Sequence, residues 1–110
     1  MGQLFYGYTD QPIDIPDRLL AHLKVVMATK LRRSESFTLS WCHHDDEPEG
    51  RSTIWLHSAI PLRFVFASAE SEQLDPALLQ ELVKAANSSG GLTIDRDIAI
   101  VHEADVARAA

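Results

Sequence analysis

The residues of this chain best suited to chemistry are gathered in His43-His44-Asp45-Asp46-Glu47-Pro48-Glu49. By composition this is a metal centre. A metal site, however, needs donors that converge on one point, and adjacent residues on a strand face opposite ways. The segment reads better as an acidic hairpin tip that keeps a sheet edge soluble, and no metal is expected. Cys42 could be combined with His43 or His44 as nucleophile and base. A thiol is activated by a neighbouring cation or a helix N-terminus, and Cys42 falls mid-strand. Ser88-Ser89-Gly90-Gly91 has the glycines of a phosphate loop but closes a helix, where carbonyls point outward. Phosphate binding wants the N–H groups of a helix N-terminus. The sequence contains no G-x-x-x-x-G-K-[ST], G-x-G-x-x-G or H-E-x-x-H. No catalytic residue and no cofactor are therefore expected, and the chain reads as a non-enzyme.

The elements around these residues are set by hydrophobic spacing. Ser36 to Ala67 contains three short runs in which apolar and polar residues alternate: Phe37, Leu39 and Trp41, then Ile54 and Leu56, then Leu62, Phe64 and Phe66. A period of two means strands with one buried face. The links Asp45–Gly50 and Ser58–Ile60 are short, which favours an antiparallel meander, since parallel neighbours need a long crossover. Pairing Trp41 with Ile54 and Leu39 with Leu56 sets His57 opposite Thr38. The face away from the core then carries Thr38, Ser40, Cys42, Thr53, Trp55, His57, Arg63 and Val65.

Upstream, Gln3–Tyr8 and Ile13–Ile15 read as a hairpin. Pro16 and Asp17 open a helix that runs to Arg33, with Leu20, Leu23, Met27 and Leu31 as its buried stripe. Asp75-Pro76 starts a second helix, buried through Leu78, Leu79, Leu82, Val83 and Ala86 and ended by Gly90-Gly91. Leu92–Ile94 and Ile98–Val101 read as terminal strands. The order is ββ-α-βββ-α-β. The fold expected is a single α+β domain over residues 1–102, with both helices on one face of the sheet and a frayed tail over 103–110. Leu20, Leu23, Met27, Leu39, Trp41, Ile54, Leu56, Phe64, Phe66, Leu82 and Ala86 should share its core.

With 110 residues, the chain is large enough to bury about two thirds of the surface its unfolded form exposes. At 45% apolar and 24% charged it has an ordinary soluble composition. One cysteine cannot form an internal disulfide, which suits a cytoplasmic location. No signal peptide and no bilayer-spanning apolar run are read, so no membrane association is expected. Met1-Gly2 lacks the Ser or Thr at position six that myristoylation wants, having Tyr6 there.

Net charge is −6, unevenly placed: residues 17–33 carry five bases and one acid, leaving the remainder at −10. Two surfaces follow. Trp55, His57 and Arg63 on the polar sheet face would suit a protein partner or a second copy, an aromatic and an arginine being common anchors. Lys24, Lys30, Arg32 and Arg33, joined by Arg51 if the hairpin brings it to the helix end, would instead suit nucleic acid. The acidic remainder makes a protein partner or homo-oligomer the stronger expectation. Helix–three strands–helix is also the order of the double-stranded-RNA-binding domain. There the second helix and its preceding loop are basic, whereas here they offer Lys84 against Glu81, Glu70 and Glu72.

Several segments resemble a family of short actinobacterial proteins. They are Met1-Gly2-Gln3-Leu4 with Tyr6-Gly7, the run Asp17 to Val26, Lys30 to Phe37 with Ser40-Trp41, Gly50 to His57 with Ile60-Pro61-Leu62, and Ala86 to Leu92. The resemblance covers about residues 1–92. It implies an uncharacterised domain, some of whose members carry the label ATP-dependent DNA ligase. Ligase adenylation uses a lysine in a K-x-D-G setting, and Lys24, Lys30 and Lys84 have none. The chain also has no room for nucleotidyltransferase and OB domains. The label implies, at most, a link to DNA metabolism.

Overall fold

The N-terminal hairpin forms as its alternation requires: β1 (Gly2–Tyr6) lies antiparallel to β2 (Ile13–Ile15), with Gly2 opposite Ile15 and Leu4 opposite Ile13. The computed structural model describes residues 1–44 and 46–95. After β2 come α1 (Asp17–Arg32), β3 (Phe37–Cys42), β4 (Arg51–Leu56), β5 (Leu62–Val65), α2 (Pro76–Ala86) and β6 (Leu92–Ile94). The α+β class and the expected element order both hold over these residues. The expected strand at Ile98–Val101, the domain end at 102 and the frayed tail lie outside the described residues.

The strands divide into two three-stranded sheets, β2-β1-β5 and β4-β3-β6. The meander is thus interrupted after its first hairpin. β5 leaves β4 and pairs antiparallel with β1, setting Leu62 opposite Tyr6 and Phe64 opposite Leu4. Alternation specifies which face of a strand is buried but not which neighbour it takes. Here Pro61 opens the strand, its carbonyl accepts the Gly7 N–H at 2.9 Å, and β1 supplies an apolar partner row. β6 runs parallel to β3, with Leu39 opposite Leu92 and Trp41 opposite Ile94. That leaves β3 as the inner strand of its sheet.

The β3–β4 register differs from expectation by two residues. Leu39 faces Ile54, Trp41 faces Ser52, Phe37 faces Leu56, and Trp55, not His57, faces Thr38. A shift of two keeps every side chain on its expected face. The turn sets this register. His43 N–H reaches the Gly50 carbonyl at 2.9 Å, and the His43 ring braces the tip through the Pro48 carbonyl (2.8 Å) and Ser52 hydroxyl (2.7 Å).

One core joins the two sheets and both helices. Leu20, Leu23, Met27, Leu39, Trp41, Leu56, Leu82 and Ala86 are buried in it, and Ile54, Phe64 and Phe66 pack on it half-buried. α1 packs on β1 and on α2, and α2 packs in turn on β3 and β6. The helices run in the same direction. At their starts, the Asp75 backbone N–H, at the N-cap of α2, donates to His22 Nε2 (2.8 Å). At their ends, Lys30 Nζ donates to Asn87 Oδ1 (2.6 Å). Two helix dipoles therefore point the same way, with Asp17 and Asp75 at the positive ends and Lys30 at the negative ends.

Asp17 also fastens the first sheet. Its carboxylate accepts the Ala67 N–H (3.0 Å) and the Ser68 N–H (3.1 Å) just beyond β5. Charge-assisted bonds of this kind are worth about 1.5–3 kcal/mol. Allowing for water that can reach the freed N–H groups, Asp17→Ala should cost about 1–2 kcal/mol in urea unfolding.

Candidate functional site

Where the two helices end, the chain leaves an open cleft of about 480 Å³. Lys30, Glu35, Ser36, Phe37 and Thr38 form one wall; Ala86, Asn87, Ser88, Ser89 and Gly91 form the other, with Trp55 at the side. Three local features shape it. α1 stops at the Ser34 turn, where φ is +60°, and Glu35 N–H returns to the Lys30 carbonyl at 3.0 Å. α2 ends at Asn87, after which the Ser88 hydroxyl donates to the Ala85 carbonyl at 2.6 Å. Gly91 then turns the chain into β6 with φ +75°, its α-carbon pressed against Thr38 so closely that a Cβ would overlap the threonine hydroxyl.

Lys30 forms the floor. It is 8% exposed, with its ammonium held by Asn87 Oδ1 (2.6 Å) and Glu35 Oε1 (3.3 Å) and lying 5.5 Å from the centre of the Phe37 ring. Trp55 is 59% exposed, whereas Trp41 is buried. Its carbonyl is fixed by the Tyr6 hydroxyl, which anchors the backbone beneath the indole.

The three residues expected on one sheet face are not on one sheet. Trp55 is on β4, and His57 follows it in the link, where its Nδ1 accepts the Ala59 N–H at 3.0 Å. Arg63 belongs to β5 in the other sheet, stacked 5.5 Å over Phe5. Of this set, only Trp55 lines the cleft.

The basic set is dispersed too. Lys30 is built into the fold, and Lys24 sits 5.6 Å over the Phe66 ring. Arg51 pairs with Cys42 at the end of β3 away from Phe37, where the chain enters from the helix, roughly 17 Å along the strand at about 3.4 Å per residue. Arg32 and Arg33 remain exposed together at the helix end.

At the hairpin tip, donor atoms of His44, Asp46 and Glu47 lie within 4.8 Å of one another. Glu47 Oε1 already accepts the His44 N–H at 2.6 Å, closing the turn. His22 is completely buried and serves the fold: Nδ1 donates to the Arg18 carbonyl (2.6 Å) while Nε2 accepts from Asp75.

Sequence reasoning missed Glu35, Asn87 and the cleft as a whole. One signal was available. Lys30 follows Met27 by three residues, which puts it on the buried stripe of α1.

A family model described as a domain of unknown function (DUF7882) matches residues 1–97. No curated protein and no solved structure matches the chain.

Proposed function

We propose that this chain, which belongs to the DUF7882 family, is a small non-catalytic binding module that engages a protein partner through the surface around Trp55. The observation that carries this reading is an indole left 59% exposed beside an open cleft, on a backbone held in place by Tyr6. Large aromatic side chains of this kind dominate the energetics of protein interfaces. Two polar groups that sequence suggested for other chemistry are engaged in the fold: His43 braces the hairpin, and Lys30 closes the helix ends. Among the described residues, no helix is long and apolar enough to cross a membrane.

Affinity capture from an extract of the source cells tests the proposal. A protein retained by the wild-type chain should be held at least about thirtyfold less tightly by Trp55→Ala, the equivalent of roughly 2 kcal/mol. Raising salt should weaken retention far less than it would for nucleic acid, where each phosphate contact costs about 0.9 log unit of affinity per log unit of salt. Nucleic acid is the competing ligand. Retardation of DNA or RNA near physiological salt, abolished by Arg32→Ala with Arg33→Ala, would replace this reading. A lysine adenylate formed from labelled ATP, or sealing of a nicked duplex, would overturn its non-catalytic part.

A further inference from the structure

The cleft lies at the C-terminal ends of both helices, and this determines the charge it can hold. Each C-terminus carries about half a negative charge on its free carbonyls. The parallel course of α1 and α2 brings the two ends to one place, shown by the 2.6 Å bond between Lys30 and Asn87. The Glu35 carboxylate stands at the same wall with its side chain 45% exposed. An antiparallel pair of helices would have placed a positive end beside each negative one. This pair gathers the negative partial charges of both helix ends at one place, and of the cations in their last turns Arg32 and Lys84 are not among the residues lining the cleft.

The cleft already contains one solution to that charge. The Lys30 ammonium is seated between an amide oxygen, a carboxylate and an aromatic ring, supplied by Asn87, Glu35 and Phe37. The outer part of the cleft offers the same chemistry again, in the open Trp55 ring and the exposed part of Glu35, and among the described residues no cation other than Lys30 lines it. Aromatic faces and carboxylates together recognise ammonium and guanidinium groups. An anion is disfavoured here. Lys30 is turned inward, and Arg32 and Arg33 are not among the residues lining the cleft.

We infer that this cleft is a cation-recognition site, receiving the ammonium or guanidinium group of a Lys or Arg side chain that the partner inserts between Trp55 and Glu35. This rests on the partner reading above and names the group the partner must present.

The test uses the full chain and small probes, with the Trp55 indole N–H followed by NMR and that of buried Trp41 as internal control. Nα-acetyl-arginine methylamide and Nα-acetyl-lysine methylamide should shift the Trp55 signal saturably, with a midpoint of about 1–10 mM. The neutral analogue with norleucine should bind at least about tenfold more weakly, because it lacks the charge. Glu35→Gln keeps the side-chain shape and should weaken the cationic probes at least about fivefold. Equal binding of the norleucine probe, a stronger response to inorganic phosphate, or no saturation by about 100 mM would each overturn the assignment. A partner captured through Trp55 but held equally well by Glu35→Gln would also overturn it, while leaving the partner reading intact. Conversely, saturable cation binding with no Trp55-dependent partner would uphold the site and remove that reading.

Discussion

His22→Ala is expected to remove about 3 kcal/mol of folding stability, more than any surface change in this chain. The imidazole is fully buried between the helices, so truncation leaves a cavity as well as unpaired groups. The lost bonds are specific. The part-buried Asp75 N–H at the start of α2 loses its acceptor, His22 Nε2. The remaining half of the arrangement, Asp75 accepting the Ala77 N–H at 3.0 Å, then caps a helix that is less firmly docked. His22→Phe separates the two contributions, since it keeps the ring volume but provides no acceptor. Its cost should fall in the range of about 1–3 kcal/mol set by an unsatisfied buried N–H. Urea midpoints of the two variants measure both quantities. Equal stability of His22→Ala and wild type would mean that α2 is not held through this ring.

Gly91→Ala should be comparably severe, at about 3 kcal/mol, although it adds only a methyl group. Two costs combine. A left-handed conformation costs an L-residue with a Cβ roughly 1–2 kcal/mol, and φ at Gly91 is +75°. The added carbon would also overlap the Thr38 hydroxyl and approach the Thr38 carbonyl oxygen to 3.0 Å, so β3 and the turn must part. Overpacking of this kind costs about 1–3 kcal/mol. In a thermal melt the sum corresponds to a fall of about 10–20 °C for a domain of this size. Thr38→Ala in the Gly91→Ala background should recover part of the loss by clearing the hydroxyl. It cannot move the backbone carbonyl, so recovery stays incomplete. A Gly91→Ala variant that melts with wild type would show that the turn has room the structure does not give it.

The elements and the core were legible in the sequence because they depend on local spacing. Apolar residues at three- and four-residue intervals located α1, and the Asp75-Pro76 pair located the start of α2, where the carboxylate does cap Ala77 N–H. Alternation gave the buried faces of β3 and β4 correctly even though their register differs by two, since an even shift changes no face. Partner choice was not legible. Leu62, Phe64 and Phe66 have the same pattern whether β5 lies beside β4 or β1, so the division into two sheets had no sequence signature. The candidate surface suffered from the same gap. Placing Arg63 beside Trp55 assumed the meander, and once β5 joins β1 the arginine moves to Phe5. The cleft was hidden for a further reason: Glu35, Trp55 and Asn87 come from three distant segments and meet only because the helices run parallel.

The place of β6 in its sheet has a consequence for how the chain is made. β3 is completed on one side by β4, which follows it closely, and on the other by β6, which is synthesised about fifty residues later and so forms a contact of high sequence separation. Until Leu92–Ile94 have left the ribosome, the Phe37–Cys42 strand presents an open edge with Leu39 and Trp41 uncovered. Such an edge is a template for pairing between chains. A message cut short, or a protease acting at Ser88–Gly91, would leave that edge permanently bare. The three residues of β6 therefore decide whether Leu39 and Trp41 lie on an inner strand, as in the folded domain, or on a bare edge prone to pair with another chain.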